Sequence, residues 1–143
     1  MADYHKAGLL ILQQDRILLC RKRHTTALLI LPGGRFEPGE TARQCIAREI
    51  REELGHVDVT GLEFVGSYTD VAAGARAKTV RIELYRGDLA GVPSPQSEIR
   101  ELVWFSSQDD WAQLAPSLAN KILPDLIERK ILLWAIQRST AGS

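Results

Sequence analysis

The rhythm of apolar and polar positions changes several times along this chain, and each change marks an element. Lys6 to Leu12 is apolar (AGLLIL) and reads as a buried strand; Arg16 to Lys22 (RILLCRK) reads as a second. Gln13-Gln14-Asp15 between them is a turn, so the pair predicts a hairpin. Leu28 to Leu31 is a short apolar strand leading into Pro32-Gly33-Gly34. From about Thr41 to Leu54 the period becomes helical: Ala42, Ile46, Ala47, Ile50 and Leu54 form one stripe at roughly 100° per residue. Gly55 ends that helix, since glycine takes the left-handed conformation found just past a helix terminus.

After Val57 the pattern turns to alternation. Glu63 to Val71 and Thr79 to Leu89 read as antiparallel strands around a small-residue loop, 72–77. That loop is a hairpin turn or the border of a substrate cleft. Gly91 to Ser97 is a loop with two prolines, and Leu102 to Phe105 a final short strand. Ser106 or Ser107 can cap a short helix through Trp111 and Leu114. A C-terminal helix then covers about 116–136, with Pro124 kinking it or starting a second segment. Pattern alone gives a mixed α and β chain.

The helix carries an arrangement that helix formation does not require. Glu49, Glu52 and Glu53 lie at i, i+3 and i+4, so three carboxylates crowd one face and repel. Glu53 projects at the edge of the apolar stripe, where a merely solvated acidic face would not reach. Partly buried carboxylates need a compensating cation, and clustered hard oxygens suit Mg²⁺ or Mn²⁺. A solvated charge run is the competing reading. Gly33 and Gly34 let backbone approach a ligand closely. Arg35 follows them as an exposed loop residue or a phosphate clamp. Arg21, Lys22 and Arg23 form a solvated strand end or, beside the glycines, a phosphate contact. Tyr68 and Phe64 read as core filling rather than base stacking.

The 143 residues predict one domain, residues 1–143, with a proper core. Hydrophobic residues at 45% and charged residues at 25% are ordinary for a globular protein. Net charge is zero, so no long-range field points to DNA or a membrane as partner. Phosphate binding then falls to local arginines and a metal. Cys20 and Cys45 read as buried reduced thiols, which fits a cytoplasmic protein. No signal-like pattern opens the chain, and no apolar run approaches membrane-spanning length.

Gly34, Glu40 and the run Arg48-Glu49-Ile50-Arg51-Glu52-Glu53-Leu54-Gly55 together resemble the signature of the Nudix hydrolase family. The one departure is His56, where the family usually has an aliphatic residue. The resemblance implies an α+β fold, an α/β/α sandwich with a mixed sheet, the signature helix at about 41–54 and the C-terminal helix on the other side. It implies Mg²⁺-dependent hydrolysis of a nucleoside diphosphate linked to another group, with Mn²⁺ as substitute. Residue by residue, it makes Glu49, Glu52 and Glu53 metal ligands together with a carbonyl of the glycine pair, Gly33. Glu52 or Glu53 also serves as general base. Arg48 neutralises and orients carboxylates, Glu40 supports the helix, and an acid before the last strand, Glu98 or Glu101, adds a ligand or a base. Arg35 and Arg23 are the candidates for substrate phosphates, and Asn120 loosely matches a position that reads a purine edge.

The chain looks most like the MutT-type branch, cleaving a nucleoside triphosphate, 8-oxo-dGTP-like or unmodified, to monophosphate and pyrophosphate. ADP-ribose or another nucleoside diphosphate derivative is the alternative substrate, and an inactive nucleotide-sensing module the alternative class. RNA 5′-end processing would call for a basic channel that the neutral charge does not favour. A nucleotide is the expected partner, and a homodimer is left open.

Overall fold

The computed structural model describes residues 2–74 and 77–135. Its strands form two sheets. The first has the order β4-β1-β6-β5, from Gly33–Arg35, Tyr4–Leu10, Thr79–Ala90 and Asp58–Val71. β1 pairs parallel with β6 and antiparallel with β4, so this sheet is mixed. The second has the order β2-β3-β7, from Leu12–Gln13, Arg16–Lys22 and Ile99–Phe105, all antiparallel. The β2–β3 hairpin closes on Gln14 and Asp15, both with positive φ.

Alternation along the strands sorts side chains to two faces. Ala7, Leu9, Ile11 and Leu18 pack with Cys45, Ile46, Ile50 and Leu54 of the first helix, α1 (Ala42–Leu54). Leu10, Ile17, Leu19, Leu84 and Phe105 pack on the other side, against Leu118, Ile122, Leu123 and Leu126 of the C-terminal segment. The expected α+β sandwich is present, with its strands divided between two sheets.

α1 begins as its sequence requires. Thr41 accepts the Gln44 amide and Gln44 returns a bond to the Thr41 amide, a complete capping box. Gly55, at φ 86°, ends the helix and its amide donates to Arg51.

Three expectations change. Leu28 to Leu31 makes only isolated bridges, Cys20 to Ile30 and Leu29 to Leu114, and the glycine pair forms the paired strand β4 instead. Asp110, rather than Ser106 or Ser107, caps a 3₁₀ turn at Trp111–Gln113. The C-terminal helical stretch begins at 116 as expected but ends at Glu128, short of 136. A π-helical turn, Leu118–Ile122, runs into α2, Leu123–Glu128, with Pro124 in its first turn. Lys130, at φ 59°, turns the chain out of the helix. Leu132 and Trp134 are then buried without being helical, and Trp134 donates its indole N–H to the Asp15 carbonyl at 2.7 Å. Ile136 lies outside the described residues.

Candidate active-site cleft

Arg48 holds the loop before α1 to the helix. Its Nε and Nη2 reach the two oxygens of Glu40 at 2.7 and 2.9 Å, Nη1 donates to Glu49 at 2.8 Å, and Nη2 donates to the Arg35 carbonyl at 3.0 Å. Glu52 lies 3.7 Å from the same guanidinium. The Arg48 bonds, with the Glu37 amide, hold the Glu40 carboxyl down at about 2. Arg48 therefore orients and neutralises carboxylates, and it lies outside the cleft lining.

The glycine strand is fitted to the helix acids. The Gly33 amide donates to Glu53 Oε1 at 2.9 Å. At Gly34 a Cβ would lie 2.4 Å from the Glu49 carboxyl carbon, and at Gly33 (φ 134°) one would meet the Ala7 carbonyl at 2.1 Å. Only glycine lets β4 lie this close to both α1 and β1.

Glu53 is buried, with no ion-pair partner among the described residues. Burial pushes its carboxyl up to about 8, against the pull of the Gly33 amide and with Glu49 adding repulsion.

These acids open onto a cleft of about 470 Å³, within the range of small-molecule sites. Glu49, Glu52, Glu53 and Glu98 line it with Lys6, Lys22 and Arg35. Lys6 on β1 sits in register with Arg35 on β4 and Ile82 on β6, so the three share a face. Burial, then the nearby charges of Lys22 and Arg35, pulls the Lys6 ammonium below its ordinary value. Among the described residues neither lysine makes an ion pair. The Arg35 guanidinium lies 4.7 Å over the Tyr4 ring, a cation–π contact at the mouth. Ile30, Leu31, Ala73, Ile82, Ala115 and Leu118 add aliphatic wall to the same cleft.

Of the residues picked from sequence, Gly33, Arg35, Glu49, Glu52, Glu53 and Glu98 come together here. Two do not. Arg23 is exposed, its backbone amide on the Glu98 carbonyl and its Nε 3.4 Å from that of Ser97. Strand alternation, with a register shift at Arg21/Lys22, delivers Lys22 to the cleft instead. Asn120 is also exposed and outside the lining, donating to Asp70 at 3.2 Å. Glu101 pairs with Arg21 at 2.6 Å, leaving Glu98 as the cleft acid of that loop. Ala72 and Ala73 border the cleft; Ala75 and Arg76 of the same loop lie outside the described residues. Tyr68 is core, but Phe64 is 57% exposed, packed edge-on to Tyr85. Lys22 was read from sequence as part of a basic cluster beside the glycines, and Lys6 is the residue that sequence reading passed over. The strand pattern held a signal for Lys6, a lone cation opening an apolar run.

No three His, Cys, Asp or Glu side chains among the described residues are gathered as ligands of one ion. The donor chemistry nonetheless fits a hard cation. Glu53 is a buried carboxylate with Lys6 and Lys22 nearby but no ion pair among the described residues, Glu49 rests on the Gly34 backbone beside it, and Glu52 is exposed enough to rotate.

A glycine strand strapped to an acidic helix thus borders a cleft lined by carboxylates, cations and aliphatic side chains. The NUDIX domain model matches residues 4–126, and the chain belongs to the Nudix family of hydrolases. It is 31% identical over 120 residues to the NAD-capped RNA hydrolase NudC of Vibrio vulnificus (strain CMCP6), covering 84% of this chain and 43% of that protein. It is 35% identical over 101 residues to the NudC of Pseudomonas putida (strain GB-1), covering 70% and 35%. The chain thus spans less than half the length of these curated relatives. Among solved structures, the E. coli ORF135 protein superposes with a TM-score of 0.70 at 26% identity, over 90% of this chain and 91% of that one. A NUDIX hydrolase from Nitrosomonas europaea gives 0.72 at 23%, over 98% and 99%. The latter likeness is one of fold. Nudix hydrolases generally need a divalent metal and act on nucleotide-derived substrates.

Proposed function

We propose that this chain hydrolyses a nucleoside triphosphate to the monophosphate and pyrophosphate, with Mg²⁺ as the metal and Mn²⁺ as its substitute. The observation that carries this reading is a single cleft that gathers carboxylates, three cations and aliphatic side chains. A polyphosphate suits the charged groups and a nucleobase the aliphatic ones.

Glu49, Glu52 and Glu53, with the Gly33 carbonyl, would hold the cation. When bound, it screens the phosphates and lowers the pKa of the attacking water. The residues of the chain do the rest. Lys6, Lys22 and Arg35 take the substrate oxygens, three cations whose own repulsion an anion relieves. Arg48 keeps Glu49 aimed while remaining fixed to Glu40. The proton of the attacking water passes to Glu52 or Glu98, the two cleft acids not enclosed by the fold. The backbone amide of Gly33 holds Glu53 in place throughout. Breakage of the phosphoric anhydride bond then leaves two anions facing the carboxylate wall, which favours their release.

A second reading draws on the NudC relatives, whose name points to NAD-capped RNA. In it the substrate is ADP-ribose or another nucleoside diphosphate derivative, cleaved by the same acids. A nucleotide-sensing module without turnover is a third outcome of the same experiment.

The test is a Mg²⁺-dependent panel of nucleoside triphosphates, 8-oxo-dGTP, ADP-ribose and NAD, with products separated by chromatography. Monophosphate plus pyrophosphate from a triphosphate supports the first reading. Cleavage confined to ADP-ribose or NAD replaces it with the second. Binding without any product leaves the sensor. Variants Glu52→Gln and Glu98→Gln then separate the two acids, since loss of the base lowers kcat with little change in KM.

A further inference from the structure

One residue of the loop before β7 holds a conformation that its type disfavours. Ser97 has φ 49°, a left-handed value uncommon outside glycine, asparagine and aspartate. It is the first central residue of a tight turn, closed by the Ile99 amide donating to the Gln96 carbonyl at 2.9 Å. Glu98 is the second central residue, and both line the cleft. Such backbone persists only where its surroundings over-determine it, and it gathers at working sites.

The surroundings act from two sides. On the first, the loop is laid along the end of α1. The Ser94 amide donates to the Leu54 carbonyl at 3.0 Å and the Gln96 amide to the Glu53 carbonyl at 2.9 Å, filling acceptors that a helix leaves open in its last turn. Gln96 Nε2 donates to the Ser94 hydroxyl at 2.9 Å and stiffens this strap. On the other side, the Arg23 amide donates to the Glu98 carbonyl at 2.8 Å, and the buried Ile99 pairs with Lys22 of β3. The turn thus spans two anchors, and one of them is the backbone of Glu53 itself.

We propose that Ser97 is the positioning residue for Glu98: its left-handed turn sets where that carboxylate stands against the helix acids, as acceptor of the proton from the attacking water. The inference rests on the nucleotide reading above and decides between its two candidate bases. The water oxygen bonds to phosphorus, its proton goes to Glu98, and the anhydride oxygen leaves with the bonding pair. Glu98 is exposed, so its own packing does not fix it and the turn beneath must. Misplacement of a reacting group by about an ångström costs on the order of a hundredfold in rate. Serine at this φ also keeps the turn stiffer than glycine would.

The experiment measures kcat and KM, with the best substrate of the panel, for Ser97→Val, Ser97→Gly and Ser97→Asn, each alone and combined with Glu98→Gln. Circular dichroism checks folding. Ser97→Val, whose branched side chain resists positive φ, is expected to lower kcat about tenfold or more with KM within about twofold. Ser97→Gly accepts the φ but frees the turn, and lowers kcat about threefold; it carries the comparison should Ser97→Val not fold. Ser97→Asn, at home in this region, recovers most of the loss. Glu98→Gln alone loses about 100-fold. Adding a Ser97 substitution to it costs nothing further, since the group through which Ser97 acts is gone. Unaltered kcat in both Ser97→Val and Ser97→Gly overturns the inference. So do losses that persist undiminished beside Glu98→Gln, as a merely structural role would give. Wild-type turnover in Glu98→Gln overturns it while leaving the nucleotide reading intact. Failure of the wild type to hydrolyse any nucleotide overturns both together.

Discussion

Arg48 is the side chain on which the acid cluster turns. Its bidentate grip on Glu40 leaves one nitrogen for Glu49, so loss of Arg48 frees a loop and a helix acid at once. Because the Glu40 carboxyl falls from its ordinary 4.5 to about 2 on folding, it stabilises the folded state fully above the unfolded value. That contribution fades as pH drops from about 4.5 towards 2. Thermal melts between pH 5 and pH 2 should show this decline, and Arg48→Gln should flatten it. At Glu53, Gln keeps an acceptor for the Gly33 amide and removes the charge. Glu53→Gln is expected to retain its circular dichroism spectrum and lose at least about 100-fold in turnover, the scale of a lost transition-state charge contact. Millimolar Mg²⁺ should raise the wild-type melting temperature and raise that of Glu53→Gln much less.

Among the elements, α1 was the most legible in the sequence. Its cap, its stripe and its stop are all local: Thr41 with Gln44, Ile46 with Ile50, and Gly55. Its acids were readable for the same reason, since i, i+3 and i+4 spacing fixes a shared face without tertiary information. The C-terminal segment misled because Ile131 and Trp134 continue a helical spacing. They are apolar to fill the core from an irregular path, which the left-handed turn at Lys130 begins. The π-helical turn was equally hidden, as nothing in LANKI distinguishes five residues per turn from fewer. Its effect bears on Asn120. Asn120→Ala is expected to leave kcat and KM within about twofold of wild type, as for a surface substitution, when both are measured with the best substrate of the panel. That Lys6 and Lys22 meet in one cleft was illegible because they belong to strands of different sheets. Alternation says which face each takes, but not which faces meet.

In the whole molecule, the C-terminal segment is fastened to the first sheet by a polar cluster as well as by the Asn120–Asp70 bond. The Tyr68 hydroxyl on β5 donates to Asp125 on α2, and Arg129 Nη1 reaches that carboxylate at 3.1 Å and the Val65 carbonyl at 2.9 Å. Tyr68→Phe removes the bond and strands a partly buried carboxylate beside Arg129. Urea unfolding should register a loss of about 1–3 kcal/mol, the scale for a hydrogen bond to a charged group.

The cleft lies where the two sheets meet. Lys6 and Arg35 come from one, Lys22 from the other, with Glu53 reaching in from the helix that covers them. A polyanion seated there acts as a rivet through two plates. Amide exchange should therefore slow together in β1 and β3 when such a ligand is present, although those strands share no ladder. Occupancy would then be readable in the stiffness of the frame as well as in the chemistry of the acids.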